Sequence, residues 1–230
     1  MFRLQNVAKT YSGRRQTVTA IQAPHLEIGA GEYVAVVGPS GSGKTTLLSI
    51  LGGMLSPNTG KVFIDGVSVY DQKVAKRAAI RQARIGFVFQ TFNLVPYLSA
   101  IENVQIPLYL AGASAAEQQS RAIELLDRVG LADRIDHKPS ELSTGQQQRV
   151  ALARTLANNP PIILADEPTG NLDPSSRATV LDFFDELHRE GRTIVMVTHD
   201  QQAAQRAGRW LRLTGGIIES TPVTPSSRAA

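Results

Sequence analysis

The sequence predicts an α/β fold with a mainly parallel central sheet, an N-terminal antiparallel β portion and an inserted helical lobe. Three observations predict it. Tyr33–Val37 (YVAVV), Ile162–Ala165 (IILA) and Thr193–Val197 (TIVMV) are short apolar runs of the kind found in strands buried on both faces. Helical segments alternate with these runs, which is the pattern of a parallel sheet. The N-terminal third instead carries short, partly alternating strand signals separated by Gly and polar residues.

The elements follow in order. Phe2–Val7, Thr17–Ile21 and His25–Ile28 read as strands, and Thr45–Leu51 as a helix stopped by Gly52 and Gly53. Lys61–Ile64 and Val67–Tyr70 flank Asp65-Gly66, a type I′ hairpin signal. Ser99 with Glu102 and Ser114 with Glu117 fit capping boxes, so two helices start there. Pro107 is expected to kink or end the first. The second presents Ile123, Leu126 and Val129 as an apolar stripe and stops at Gly130. Residues 91–159 therefore read as the helical lobe. Asp173-Pro174 opens a further helix, which buries Val180, Phe183, Phe184 and Leu187. Trp210–Leu213 and Ile217-Ile218 form a closing hairpin around Gly215-Gly216.

With 230 residues, 42% hydrophobic, the chain fits one large domain over 1–220. Residues 221–230 (TPVTPSSRAA) read as a flexible tail. Against 24 Lys+Arg stand 20 Asp+Glu, a net charge of +4, too balanced to imply nucleic acid. Cysteine is absent, which excludes disulfides and thiolate chemistry, and the four histidines lack ligand spacing. No apolar run approaches the roughly 18 residues of a membrane span, and Met1–Gly13 lacks the apolar stretch of a secretory signal. The expected location is cytoplasmic.

The chemistry is concentrated in a few stretches. Gly38-Pro-Ser-Gly-Ser-Gly43-Lys44-Thr45 fits the phosphate-loop pattern between a buried strand and a helix. Its glycines let backbone N–H groups converge on phosphate, Lys44 reaches the β- and γ-phosphates, and Thr45 offers a hydroxyl to Mg²⁺. Asp166, at the end of an apolar strand, suits the metal through water, and Glu167 beside it suits a general base. A third stretch, Leu142-Ser143-Thr144-Gly145-Gln146, heads a long helix. A capping box accounts for it. It is also a second phosphate-seeking helix end, and touching one nucleotide with both ends is most simply done by a symmetric pair of chains.

The motifs GPSGSGKTT, Gln90 in FVFQ, LSTGQQQR, IILADE, Asn171-Leu172-Asp173 and Thr198-His199-Asp200 stand in the order seen in ATP-binding subunits of ABC transporters. The chain resembles that family over residues 2–220. It is most similar to the small subunits of the lipoprotein-release, macrolide-export and cell-division group, through GFVFQTFNLVPYLSAIENVQIPL and DEPTGNLD.

The resemblance implies a P-loop NTPase core, ATP and Mg²⁺ as cofactors, and ATP hydrolysis by a homodimer closed around two ATP–Mg²⁺. It also implies a separately encoded integral membrane permease, with this subunit peripheral on the inner face of the cell membrane. Tyr11 would stack on adenine beside Val18. Gly38, Ser40, Gly41, Ser42, Gly43, Lys44, Thr45 and Thr46 would wrap the phosphates. Gln90 would touch Mg²⁺ or the attacking water, and His199 the γ-phosphate. Ser143, Gly145 and Gln146 would meet the nucleotide of the other chain, with Asp173 lying across the interface. One departure is Thr144, where the family usually has glycine; Gly145 keeps the position where a side chain would obstruct phosphate.

The function implied is powering export or extraction from the membrane; an ATP-gated scaffold of a membrane complex, without transport, is the alternative. Two weaker features remain. Lys73, Arg77, Arg81 and Arg84 recur at helical spacing and suggest a positive face, either solvated or turned to anionic headgroups or an acidic partner. Phe92–Leu98 (FNLVPYL) is apolar, and in the family this region receives a helix of the membrane subunit.

Overall fold

The computed structural model describes residues 1–13 and 17–222. In chain order the strands are β1 (Phe2–Ser12), β2 (Thr17–Ile28), β3 (Tyr33–Val37), β4 (Thr59–Ile64), β5 (Val67–Ser68), β6 (Ile85–Val88), β7 (Ile162–Asp166), β8 (Thr193–Val197), β9 (Arg209–Thr214) and β10 (Ile217–Pro222). The helices are α1 (Lys44–Leu51), α2 (Val74–Arg84), α3 (Ala100–Leu110), α4 (Ala115–Arg128), α5 (Thr144–Thr155), α6 (Pro174–Arg189) and α7 (Gln201–Gln205).

All ten strands form one sheet in the order β5-β4-β1-β2-β10-β9-β3-β8-β7-β6. From β9 to β6 every pairing is parallel, and β5, β4, β1 and β2 pair antiparallel. The two halves meet at a seam where β10 and β2 share a single paired position, Ile217 with Gln22.

The apolar strands are buried on both faces because each supplies two cores. Tyr33 and Ala35 of β3, with Ile163, Ala165, Ile194 and Met196, pack toward α3, α4, α5 and α6. Val34 and Val36, with Ile162, Leu164, Val195 and Val197, pack toward α1 and the antiparallel half. This double burial explains why the strands read as continuous apolar runs. Lobe residues such as Leu125, Leu126 and Val150 belong to the first core, so the helical insertion is packed onto the sheet.

Several expectations are corrected. β1 continues to Ser12, and β2 is one strand through Pro24. A proline is tolerated there because Pro24 itself takes no paired position, with β1 on one side or β10 on the other. β5 ends at Ser68, short of Tyr70. Pro107 does not end α3, which runs to Leu110; the Ala111 N–H donates to the Pro107 carbonyl at 3.0 Å, so the ladder resumes within a turn. Of the expected stripe Leu126 and Val129 are buried and Ile123 is exposed, with Ala122 and Leu125 facing the core as well. Phe183 is half-buried, with the Arg128 guanidinium 5.2 Å from its ring centre.

The basic stripe of α2 is not a uniform positive face. Arg77 lies over the Tyr70 ring at 5.4 Å and Arg81 donates to the Gly53 carbonyl at 3.2 Å, so two of its charges turn inward. Arg84 lies 3.5 Å from Asp65. The strand β10 carries the backbone through Thr221 and Pro222, two residues into the expected tail, and residues 223–230 lie outside the described residues.

Candidate nucleotide site

The C-terminal ends of β3, β8 and β7 lie side by side, and each feeds a loop into the same cleft. Register fixes their relation: Val36 pairs with Val197, and Val197 with Asp166. The loop after β3 brings Lys44, the turn after β8 brings His199, and β7 ends in Asp166 with Glu167 next. A cavity of about 750 Å³ opens at this point.

The phosphate loop curls because its glycines let it. Gly41 and Gly43 have φ of 75° and 104°, in the left-handed region that L side chains avoid. A Cβ on Gly43 would run into the Ala20 carbonyl, and one on Gly38 would come within 2.9 Å of the Ser42 hydroxyl. Lys44 crosses the loop, its Nζ donating to the carbonyls of Gly38 and Pro39 at 2.9 Å each. Gly43 caps α1 without a side-chain hydrogen bond, so the first amides of α1 keep no local side-chain acceptor there. The Ser42 hydroxyl is buried without a partner among the described residues and does not line the cavity. Ser40, Gly41, Thr45 and Thr46 do.

Burial pushes the Asp166 carboxyl up from the usual range; its hydrogen bond with Thr45 pulls it back, the Glu167 charge raises it and Lys44 lowers it, leaving a net rise. Glu167 adopts φ 46°, unusual for a residue with a side chain. Its N–H donates to the Val197 carbonyl at 2.9 Å. Its carboxylate lies 2.9 Å from His199 Nδ1 and accepts from the His199 backbone N–H at 3.3 Å. Gln90 enters the cavity from the end of β6, its backbone carbonyl held by Asn171 at 3.1 Å.

Tyr11 and Val18 stand on the far wall, directly paired across β1 and β2. They are 46% and 50% exposed, large apolar groups left open beside a polar cleft. Lys9 sits 5.6 Å from the Tyr11 ring centre. Ala20, Pro39 and Val197 also line the cavity; sequence reading missed them, as they carry no chemical signal beyond their neighbours.

Ser143, Gly145, Gln146 and Asp173 are not brought to this cavity. Ser143 caps α5 in a full capping box: its hydroxyl accepts from the Gln146 N–H at 3.3 Å, and its own N–H donates to Gln146 Oε1 at 2.9 Å. Asp173 caps α6, accepting from the N–H groups of Ser175 and Ser176 at 3.0 Å each. Hydrogen bonds from those serines hold its carboxyl far below the usual range. Gly145 is tight for a reason internal to the chain: a Cβ would lie 2.8 Å from Ser176 Cβ and closer still to its hydroxyl. The packing of α5 on α6 is thus a second demand for glycine at this position.

A second cavity, about 670 Å³, lies along the edge strand β6, between α2 and the helical lobe. Phe87, Phe89, Val95, Ile106 and Leu110 line it. Arg154 fixes its rim, donating to the carbonyls of Phe92 and Asn93 at 2.6 Å each, residues with φ of 57° and 49°.

Comparison with known proteins agrees with this geometry. The family described as ABC transporter matches residues 21–170. An uncharacterized ABC transporter ATP-binding protein of Thermotoga maritima is 48% identical over 216 residues, covering 94% of this chain and 92% of that one. The macrolide export ATP-binding/permease protein MacB of Syntrophobacter fumaroxidans is 48% identical over 222 residues; the match covers 95% of this chain but 31% of that protein. The dimeric structure of the ATP-binding cassette MJ0796 in a post-hydrolysis state, bound to ADP and Pi, superposes with a TM-score of 0.90 at 42% identity, covering 97% of this chain and 99% of that one. A phosphate loop on β3, an acidic pair at the end of β7 and a match of this extent lead to one conclusion: the chain belongs to the ABC transporter family, as an ATP-binding cassette that hydrolyses ATP.

Proposed function

We propose that two copies of this chain close around two ATP molecules with Mg²⁺, and that the cycle of closure and hydrolysis powers a separately encoded membrane permease in export or extraction from the membrane. The observation that carries the reading is a separation. The cavity holding Lys44, Asp166 and Glu167 is complete on its nucleobase and phosphate sides, whereas Ser143, Gly145 and Asp173 lie outside it. A second copy offers its Ser143 helix tip to the open side, in line with the dimeric MJ0796 cassette.

In this reading Tyr11 and Val18 hold the adenine, and the loop amides with Lys44 hold the phosphates. The donor set suits Mg²⁺, which prefers hard oxygens: Thr45 and Asp166 would hold it, with Gln90 near, and when bound it neutralises charge between the phosphates. Among the described residues no three His, Cys, Asp or Glu side chains converge as a metal site; the remaining oxygens would be those of the nucleotide and water. Glu167 removes a proton from water as the water oxygen attacks the γ-phosphorus. The bond from that phosphorus to its bridging oxygen breaks, leaving ADP and phosphate. His199, hydrogen-bonded to Glu167, orients the carboxylate and faces the γ-phosphate.

The permease is placed at the apolar cavity beside α3, where the rim held by Arg154 adjoins Gln90. No helix among the described residues is long and apolar enough to cross a membrane, and MacB relatives carry a permease in the same chain by their name. The subunit is then peripheral on the inner face of the membrane. Glu167→Gln tests the scheme: with ATP and Mg²⁺ it is expected to run as a dimer in size-exclusion chromatography with turnover lowered by about 10²-fold or more. A monomer under those conditions, with or without a permease, refutes it.

A further inference from the structure

Glu167 holds a backbone conformation that persists only where its surroundings over-determine it. Three hydrogen bonds surround it. Its own N–H is held by the Val197 carbonyl at 2.9 Å, and its carbonyl accepts from the Gly170 N–H at 3.1 Å, closing a β-turn over Glu167–Gly170. Both are backbone bonds and survive any side-chain change. The third is a side chain: Gln148 Nε2 donates to the Pro168 carbonyl at 2.6 Å.

That carbonyl belongs to the central peptide of the turn, the one the turn's own hydrogen bond leaves unused. Pro168 and Thr169 are buried, so water is not at hand to replace the donor. Gln148 is fully buried in the second turn of α5, and its Oε1 finds no partner among the described residues. The amide is not simply turned the wrong way round, because a flip would set oxygen against oxygen at 2.6 Å. One half of this amide is desolvated without a partner, and the other half is committed to the Pro168 carbonyl.

We infer that Gln148 is a positioning residue: by holding the Pro168 carbonyl it fixes the turn that aims the Glu167 carboxylate. The inference rests on the reading of Glu167 as the general base. Gln148 sits on the helix headed by Ser143, so one helix presents its tip outward and steadies its own chain's base from within.

The test is a double-mutant cycle on the full chain, read by steady-state ATP hydrolysis and thermal unfolding. Gln148→Met is expected to lower kcat by about 10- to 100-fold, as small misplacements of a reacting group do, with KM for ATP within about twofold. Its Tm is expected to fall modestly, because the buried Pro168 carbonyl is left without a donor, while far-UV circular dichroism shows the fold kept. In a Glu167→Gln background the same change is expected to lower the rate no further, since the group it aims is already gone. A normal kcat in Gln148→Met, or losses that multiply in the double variant, each overturn the inference. Normal turnover by Glu167→Gln alone would instead strike the reading of Glu167, so the two failures are distinct.

Discussion

Gly145 in the first turn of α5 is pressed against Ser176 in the first turn of α6, with no room between them for a Cβ. On helix propensity alone, Gly145→Ala would stabilise the chain by about 0.5–1 kcal/mol. Against Ser176 it is expected to destabilise by about 1–3 kcal/mol, the usual cost of overpacking. Ser176→Gly in the same chain opens the space, so chemical denaturation of the double variant is expected to recover much of the loss. Full additivity of the two changes would refute the contact.

Asp166 gives a pH-dependent prediction. Its carboxyl is raised, chiefly by burial, above its unfolded value of about 3.9. The sign follows from proton linkage: a raised group favours the fold below its unfolded value, and that contribution is lost as pH rises through its folded value. At pH 7–8 the ionised group is therefore a burden. Asp166→Asn is expected to show a higher Tm than the parent at pH 8 without nucleotide, with the difference shrinking as pH falls into the acid range. The same variant is expected to lose Mg²⁺-dependent turnover. A gain in Tm that does not change with pH would point to packing instead of charge.

Lys44 has a double attachment that predicts more than the loss of a charge. Its ammonium ties the carbonyls of Gly38 and Pro39 together. Lys44→Ala is expected to abolish measurable binding of a fluorescent ATP analogue and to cut turnover by about 10²-fold or more. Far-UV circular dichroism is expected to stay unchanged, as Lys44 belongs to neither core. Wild-type affinity in this variant would remove the phosphate loop from the proposed site.

The parts that were legible in the sequence are those whose cause is local. The strand–loop–helix around Lys44, and the caps at Ser99, Ser114, Ser143 and Asp173, each depend on residues within a few positions of one another. What escaped depends on distant partners. The continuity of β2 through Pro24 is permitted because neither β1 nor β10 pairs with that residue. The inward turn of Arg77 and Arg81 is set by Tyr70 and Gly53, which no periodicity reveals. Within the site, Glu167 and His199 were each read alone, and their 2.9 Å contact follows from the adjacency of β7 and β8. The bond from Gln148 to Pro168 spans twenty residues and two elements, and a third glutamine in a polar run gave no sign of it.

The seam between β2 and β10 divides the labour of the molecule. Tyr11 and Val18 stand on one side of it, and Lys44, Asp166, Glu167 and His199 on the other, yet only Ile217 and Gln22 are laddered across. Hydrogen-bonded ladders resist sliding, whereas apolar packing yields to small tilts. On the proposed reading, the wall carrying Tyr11 and Val18 is free to tilt against a bound base while the half carrying Lys44, Asp166 and Glu167 keeps its alignment.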